Sequence, residues 1–292
     1  MQVHLLDATY ELFRAHFGRP PAIDVQGRPV GATLGLVESV LGLLRDPAVT
    51  HVGCATDHVI RSWRNERYEG YKTEAGMPAE LLAQFERAES ALRALGLVVW
   101  PMTEYEADDA LATAAARWAD APGVERVVIL SPDKDLAQCV RADGRVIAFD
   151  RRRQRTIDAD AVRSRFGVEP ESIPDWLALV GDAADGFPGL RGWGERSASA
   201  VLARFGHLEA IPADVRDWGV PLRNAGTLAA TLRAGRAEAE LYRDLATLRL
   251  DVPLSETLEA LTWRGAPRGE FAGLVEELRA PHLAARVPRW AD

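Results

Sequence analysis

Three carboxylates fall within four residues in Glu106-Ala107-Asp108-Asp109, at the start of a predicted helix. A second acidic pair frames a lysine in Ser131-Pro132-Asp133-Lys134-Asp135. Clustered anions repel one another unless a cation holds them. Hard divalent ions take oxygen ligands of this kind, and magnesium in particular is bound by a few carboxylates together with waters and substrate phosphates. Two further aspartates close apolar runs, Asp7 after Val3-His4-Leu5-Leu6 and Asp57 after His51-Val52-Gly53-Cys54-Ala55-Thr56. The chemistry that suits these residues is metal-dependent hydrolysis of a phosphate ester. For either motif alone a plainer reading competes, because acidic residues in a first helical turn also complement the helix dipole.

The elements that must position these residues follow from the hydrophobic pattern. Short apolar runs at 3–6, 51–56, 97–100, 127–130 and 145–149 alternate with helical patterns at about 30–45, 78–95, 104–119 and 134–140. Strands alternating with helices argue for a parallel sheet covered on both faces. We expect a three-layer α/β domain over residues 1–165 and a smaller all-helical domain over 166–292, with helices near 170–181, 195–205, 221–233 and 236–248. In open parallel sheets ligands lie beyond the carboxyl ends of the strands. That rule brings Asp7, Asp57, Asp133 and Asp135 to one edge.

Composition narrows the classes. A chain of 292 residues with 47% hydrophobic content buries a substantial core. No apolar run reaches the ~20 residues needed to span a bilayer, and the first residues lack the basic stretch of a secretory signal, so a cytoplasmic location without membrane association is expected. Cys54 and Cys139 show no ligand spacing and the six histidines are scattered, which argues against zinc. A net charge of −8 argues at first against nucleic acid. Carboxylates gathered around bound divalent ions would account for part of that charge and leave room for basic patches such as Arg151-Arg152-Arg153 with Arg155; a solvated loop explains the same arginines.

Three further features bear on a phosphate-bearing partner. The segment from Arg61 to Gly76 mixes Trp63, Arg64, Arg67, Tyr68, Tyr71 and Lys72, basic and aromatic together, as phosphate contact and base stacking require. Lys72 and Lys134 are the only lysines in the chain. A drift toward arginine leaves lysine where a compact, mobile ammonium serves better than a planar fork. Finally, Gly189, Gly192 and Gly194 precede a helix near Glu195, a geometry that lets backbone N–H groups and the positive helix end approach a DNA phosphate, with Asp182 and Asp185 alongside.

The ordered set resembles the 5′ nuclease family: the 5′-3′ exonuclease domain of bacterial DNA polymerase I, stand-alone bacterial and phage 5′-3′ exonucleases, and flap endonucleases. The similarity runs from Val3 to about Glu209. The family's acidic positions fall on Asp7, Asp57, Glu106, Asp108, Asp109, Asp133, Asp135, Asp182 and Asp185. Its arch motif matches Trp63-Arg64 and Tyr71-Lys72, and its helix-three-turn-helix motif matches 181–198. The resemblance implies a PIN-like core with a helical arch segment, a helical DNA-binding domain, and hydrolysis of phosphodiesters near 5′ ends in replication or repair. It implies two or three magnesium or manganese ions held by the nine carboxylates, two of them ~3.5–4 Å apart, and potassium at the hairpin. Asp7, Asp57, Glu106, Asp108 and Asp133 are the principal expected ligands, with some of the remaining four acting through water. Lys72 and Arg64 are expected to face the scissile phosphate. Tyr71, Gly189, Gly192, Gly194, Arg196 and Ser197 are expected to bind DNA bearing 5′ flaps, overhangs, nicks or gaps.

The match has departures. Thr56 stands where phenylalanine is usual, Ala8 where glycine is common, Gly186 where asparagine is usual, and Arg196-Ser197 replace Lys-Thr. Thr73-Glu74-Ala75-Gly76 lacks the further basic residue that many relatives carry, which bears on flap threading. The chain ends at Asp292, so a stand-alone monomeric protein without an attached polymerase is expected. A non-enzymatic binder of branched DNA and a PIN-type ribonuclease are the competing readings. The carboxylate series argues against the first and the hairpin against the second.

Overall fold

A computed structural model describes residues 1–291. In chain order its first elements are β1 (Gln2–Asp7), α1 (Ala8–Gly18), α2 (Gly31–Leu43), β2 (His51–Asp57), α3 (Trp63–Arg67), α4 (Ala79–Leu82), α5 (Phe85–Ala94), β3 (Val98–Met102), α6 (Ala107–Trp118) and β4 (Arg126–Leu130). A 3-10 turn at Asp135–Cys139 leads to β5 (Val146–Asp150), β6 (Arg155–Ile157), α7 (Ala159–Phe166), α8 (Ile173–Val180), α9 (Glu195–Phe205), α10 (Ala225–Ala234) and α11 (Arg236–Ala246). The last elements are β7 (Ala266–Pro267), α12 (Arg268–Glu277) and β8 (Trp290–Ala291).

The chain packs as two units, each assembled from separated stretches of sequence. The first takes in Met1–Ser62, Glu74–Ser131 and the segment from Leu250 onward. Its strands run parallel in the order β3-β2-β1-β4. Leu5, Leu6, Cys54, Ala55, Val127 and Ile129 are buried, the continuous apolar character of strands covered on both faces. Gly53 gives close room to the Trp100 indole, since a Cβ there would lie 2.3 Å from the ring. Helix α6 packs along all four strands, and α1 and α2 pack on each other. The expected single helix over 78–95 is two: Ala83 ends α4, and Gln84 precedes α5 and spends its side-chain Oε1 as acceptor for Thr33 N at 3.0 Å. Helices α1 and α12 lie outside the expected pattern.

The second unit takes in Trp63–Thr73 and Pro132–Arg249. Helix α8 packs against α9 and α11, and β5 pairs antiparallel with β6. Asp150 Oδ1 accepts the N–H groups of Arg152 and Arg153, both at 3.0 Å, so the three consecutive arginines form the tight turn of a hairpin. The expected helix at 134–140 is only the 3-10 turn, while α9 occupies the span expected for it. Compactness thus divides the chain differently from a single boundary at residue 165. The segment 63–73 belongs with the helices, and the segment after 249 belongs with the parallel strands. Among the described residues, no helix is long and apolar enough to cross a membrane.

Candidate functional site

In the first unit the expected carboxylates end strands or open helices. Asp7 closes β1 and caps α1, its Oδ1 accepting Tyr10 N at 2.8 Å while its Oδ2 accepts Ser131 Oγ at 2.8 Å. Asp57 closes the neighbouring β2, where its Oδ1 accepts Ala107 N at 2.7 Å at the start of α6 and its own N–H donates to Thr9 Oγ1 at 2.8 Å. Glu106 precedes α6 and accepts Ser62 Oγ at 2.7 Å. Asp109, fully buried, accepts Glu106 N at 3.1 Å, so it holds the helix start and acts on its neighbour through the backbone. Asp108, between them, is half-buried. The sequence reading missed Ser62 and Ser131, whose hydroxyls donate to the Glu106 and Asp7 carboxylates, and Thr9, which holds the Asp57 backbone. Only the position of Ser131 beside Asp133 hinted at a part in the site.

In the second unit Asp135, Asp182 and Asp185 each offer an oxygen within 4.8 Å of the others. Asp133 is exposed, with Oδ1 accepting Asp135 N at 3.0 Å. Both lysines enter this group: Lys134 Nζ lies 2.6 Å from Asp182 Oδ2 and Lys72 Nζ 3.0 Å from Asp185 Oδ1. Burial pushes the Asp135 carboxyl well above the usual range, and the negative charges of Asp133 and Asp185 add to the effect. Burial acts on Asp185 in the same sense, but the Lys72 ammonium, with Arg64 and Lys134, outweighs it and holds that carboxyl below its ordinary value. Asp135 Oδ1 is sealed from solvent with no hydrogen-bond partner. A buried, partnerless carboxylate oxygen facing two more carboxylates fits a hard divalent cation, so the residues present suit the metal that the sequence implies.

Two residues expected to meet a phosphate or DNA, Arg64 and Tyr71, are buried. Arg64 is 1% exposed, and its Nε donates to Leu245 O at 2.7 Å and its Nη2 to Thr247 O at 3.4 Å, at the end of α11. Tyr71 is buried too, its ring centroid 6.0 Å from the Arg64 guanidinium. A guanidinium facing the final carbonyls of a helix is favourably placed, which is why it turns inward here.

The glycine hairpin takes the expected form in part. Gly189 and Gly192 adopt φ of 69° and 85°, open to glycine at little cost, whereas Gly194 is extended. Ser197 spends its hydroxyl on the turn, accepting Gly194 N at 3.0 Å and donating to Gly194 O at 2.9 Å. Arg196 is exposed. A groove of about 680 Å³ runs along residues 192–197 and is walled on its other side by Pro221, Leu222, Arg223 and Asn224. The sequence reading placed 221–224 in a helix, and so missed Arg223 as a groove residue.

Two family models cover most of the chain: "5'-3' exonuclease, N-terminal resolvase-like domain" over residues 2–167 and "5'-3' exonuclease, C-terminal SAM fold" over 168–268. The chain belongs to the 5′-3′ exonuclease family. It is 35% identical to DNA polymerase I of Pseudomonas aeruginosa over 91% of its own length, yet spans only 29% of that relative. With a 5'-3' exonuclease of Aquifex aeolicus it shares 28% identity, covering 98% of this chain and 95% of that protein. Among solved structures, zinc-bound T5 5'-exonuclease gives a TM-score of 0.69 at 16% identity, covering 95% of this chain and 100% of that one. The catalytic core of Rad2 in complex with DNA gives 0.61 at 14%, covering 97% and 90%. The fold is accordingly a PIN-like, mostly parallel α/β unit with a helical, SAM-like part.

Two departures from the 5′-3′ exonuclease pattern have local causes. Thr56 donates its hydroxyl to buried Glu89 at 3.0 Å, which also meets His58 Nδ1 at 3.0 Å, a link phenylalanine cannot make. Gly186 sits at φ 91°, and a Cβ there would lie 2.2 Å from Gly70 O, so the loop 182–187 closes on the 63–73 segment only with glycine.

Proposed function

We propose that this protein hydrolyses DNA phosphodiesters near 5′ ends, as a divalent-metal-dependent 5′-3′ exonuclease and structure-specific flap endonuclease of replication or repair. The observation that carries the reading is the trio Asp135, Asp182 and Asp185, with its sealed, partnerless Asp135 oxygen. The proposed metal ligands are Asp7, Asp57, Glu106 and Asp108 of the first unit and Asp133, Asp135, Asp182 and Asp185 of the second. Asp109 holds Glu106 in place. Magnesium or manganese bound there would neutralise phosphate charge and generate a nucleophilic hydroxide.

The chain's own groups supply the remaining work. Lys72, half-buried and held at Asp185, presents an ammonium where negative charge develops on a phosphate. The backbone of 189–194, the start of α9, Arg196 and Arg223 grip one strand of the duplex through its phosphates. A potassium ion on the hairpin carbonyls would reinforce that grip. The substrates are DNAs with 5′ flaps, overhangs, nicks or gaps, bound by a monomer.

A 5′-labelled flap duplex tests the reading. Cleavage with Mg²⁺ or Mn²⁺, none in EDTA, and at least a hundredfold loss in Asp135→Ala are expected. Absence of cleavage with either metal, or full activity in that variant, sinks it. Metal-insensitive binding without hydrolysis would mark a DNA-binding protein, and preference for matched RNA would mark a ribonuclease.

A further inference from the structure

We infer that Arg64 is a positioning residue, buried against the end of α11, that sets the place of Lys72 at the acidic group. The inference rests on the nuclease reading, and it replaces the direct phosphate contact expected for Arg64 from the sequence.

A closed circuit of contacts within the second unit links Arg64 to Lys72. Arg64, the second residue of α3, ties that helix to the end of α11 by donating to Leu245 O and Thr247 O, while its guanidinium lies 4.6 Å from the Trp63 ring centroid. Arg249 covers the same ring at 3.8 Å. One turn further on, Tyr68 meets Tyr242 of α11 edge-on at 5.9 Å, and Arg67 pairs with Asp244 at 3.2 Å. Tyr242 then stacks on Phe187 at 5.6 Å and 19°. Phe187 ends the loop that carries Asp185 and Gly186, and that loop returns to the starting segment: Lys72 N donates to Asp185 O at 2.9 Å. The Lys72 ammonium meets the Asp185 carboxylate in the same step. Asn65 closes the circuit from inside by donating to Lys72 O at 3.0 Å.

The chemistry of each link explains why arginine is needed at position 64. Helix-end carbonyls accept from a planar fork that reaches two of them at once, which a single ammonium does not reproduce. The same plane lies beside the Trp63 face, where a cation is attracted by the ring. At 1% exposure the guanidinium is enclosed, whereas the Lys72 side chain is 30% exposed. The group open to a phosphate is therefore the lysine, and the arginine fixes the short helix from which the lysine segment departs.

The scarcity of lysine gives a direct readout. Protein carrying ¹³C/¹⁵N-labelled lysine shows two side-chain signals, assigned with Lys72→Met and Lys134→Met, and is measured without metal or DNA. In Arg64→Met the Lys72 signal is expected to move toward that of free lysine while the Lys134 signal stays within a linewidth. Arg64→Lys is expected to leave a partial shift. Tyr242→Leu breaks the circuit at another point and should shift the Lys72 signal selectively as well, so the test stands if Arg64→Met fails to fold. On a flap substrate, Arg64→Met should lower the single-turnover rate at least tenfold with duplex Kd and its salt dependence unchanged. The Arg64→Met/Lys72→Met double variant should be no slower than Lys72→Met alone.

An unmoved Lys72 signal in both variants overturns the inference. So does a salt slope reduced by about one together with rate losses that multiply, the mark of a direct phosphate contact. Loss of both lysine signals in both variants overturns it in favour of a role in folding only. A wild-type protein that cleaves nothing would sink the nuclease reading and leave the lysine signals to decide the placement of Arg64.

Discussion

At the scale of residues, two carboxylates show how partners decide the fate of a buried charge. Asp24 is fully buried in the first unit, where burial raises its pKa but four donors outweigh that effect: Arg28 N and Gln26 N at 2.8 Å, Arg28 Nε at 2.7 Å and Arg87 Nη1 at 2.5 Å. Its carboxyl is held well below the usual range. A depressed pKa contributes stability above the unfolded value of about 3.9, lost as pH falls through the folded value. Asp24→Asn should therefore lower the melting temperature at pH 7, with the gap to wild type narrowing below about pH 4 in thermal melts. Asp135 has the opposite sign: a raised folded pKa favours the native state at low pH and costs stability as pH rises through and above the unfolded value, unless a cation is bound. In EDTA at pH 7 Asp135→Asn should melt higher than wild type, and it should lose the rise in melting temperature that Mg²⁺ or Mn²⁺ gives wild type. The acidic grouping of Asp135 with Asp182 and Asp185 was legible because the carboxylate motifs are written in the chain. The inward turn of Arg64 and Tyr71 was not, because the same spacing serves an exposed arch or a buried latch. Only the carbonyls of Leu245 and Thr247, 181 and 183 residues away, distinguish the two.

At the scale of elements, backbone conformation separates glycines that matter from glycines that do not. Gly186 has a positive φ and touches Gly70 O, so Gly186→Ala adds strain of about 1–3 kcal/mol and parts the 182–187 loop from Lys72. Gly42 sits in α2 with nothing within 4 Å of an added Cβ, so Gly42→Ala should stabilise by about 0.5–1 kcal/mol. Equilibrium denaturation of the two variants checks both signs. Strands β1 to β5 were readable to within a residue or two, since buried strands are continuous apolar runs bounded by polar residues, whereas β6, β7 and β8, two or three residues long, were not. Helix α1 was not, because Asp7 both ends β1 and caps α1, leaving no loop to mark the change. The break between α4 and α5 was hidden for a similar reason: Gln84 is a good helix former, and its capture by Thr33 is a tertiary event.

At the scale of the whole molecule, chain order and compactness disagree, and the segment after Arg249 is where they part. Trp263 donates its Nε1 to Leu95 O at the end of α5 and its backbone N to Thr50 O just before β2, both at 2.8 Å. Thr113 Oγ1 accepts Val252 N at 3.2 Å and Glu256 accepts Trp100 Nε1 at 2.8 Å, so the segment crosses α6 and β3 as well. It serves the parallel strands as covering rather than extending the helical part, which no local pattern within 250–291 reveals. Trp263 is 5% exposed, and truncating a buried indole costs about 3–5 kcal/mol, a large fraction of the roughly 5–15 kcal/mol that holds a domain together. Trp263→Ala should therefore lower the urea midpoint sharply and unfold the first unit before the second. Hydrogen exchange should show faster exchange of β2 and β3 amides, with α8 and α9 protected as in wild type. Equal loss of protection in α8 and α9 would show that the segment stabilises both units together, and an unchanged midpoint would show that it is dispensable covering.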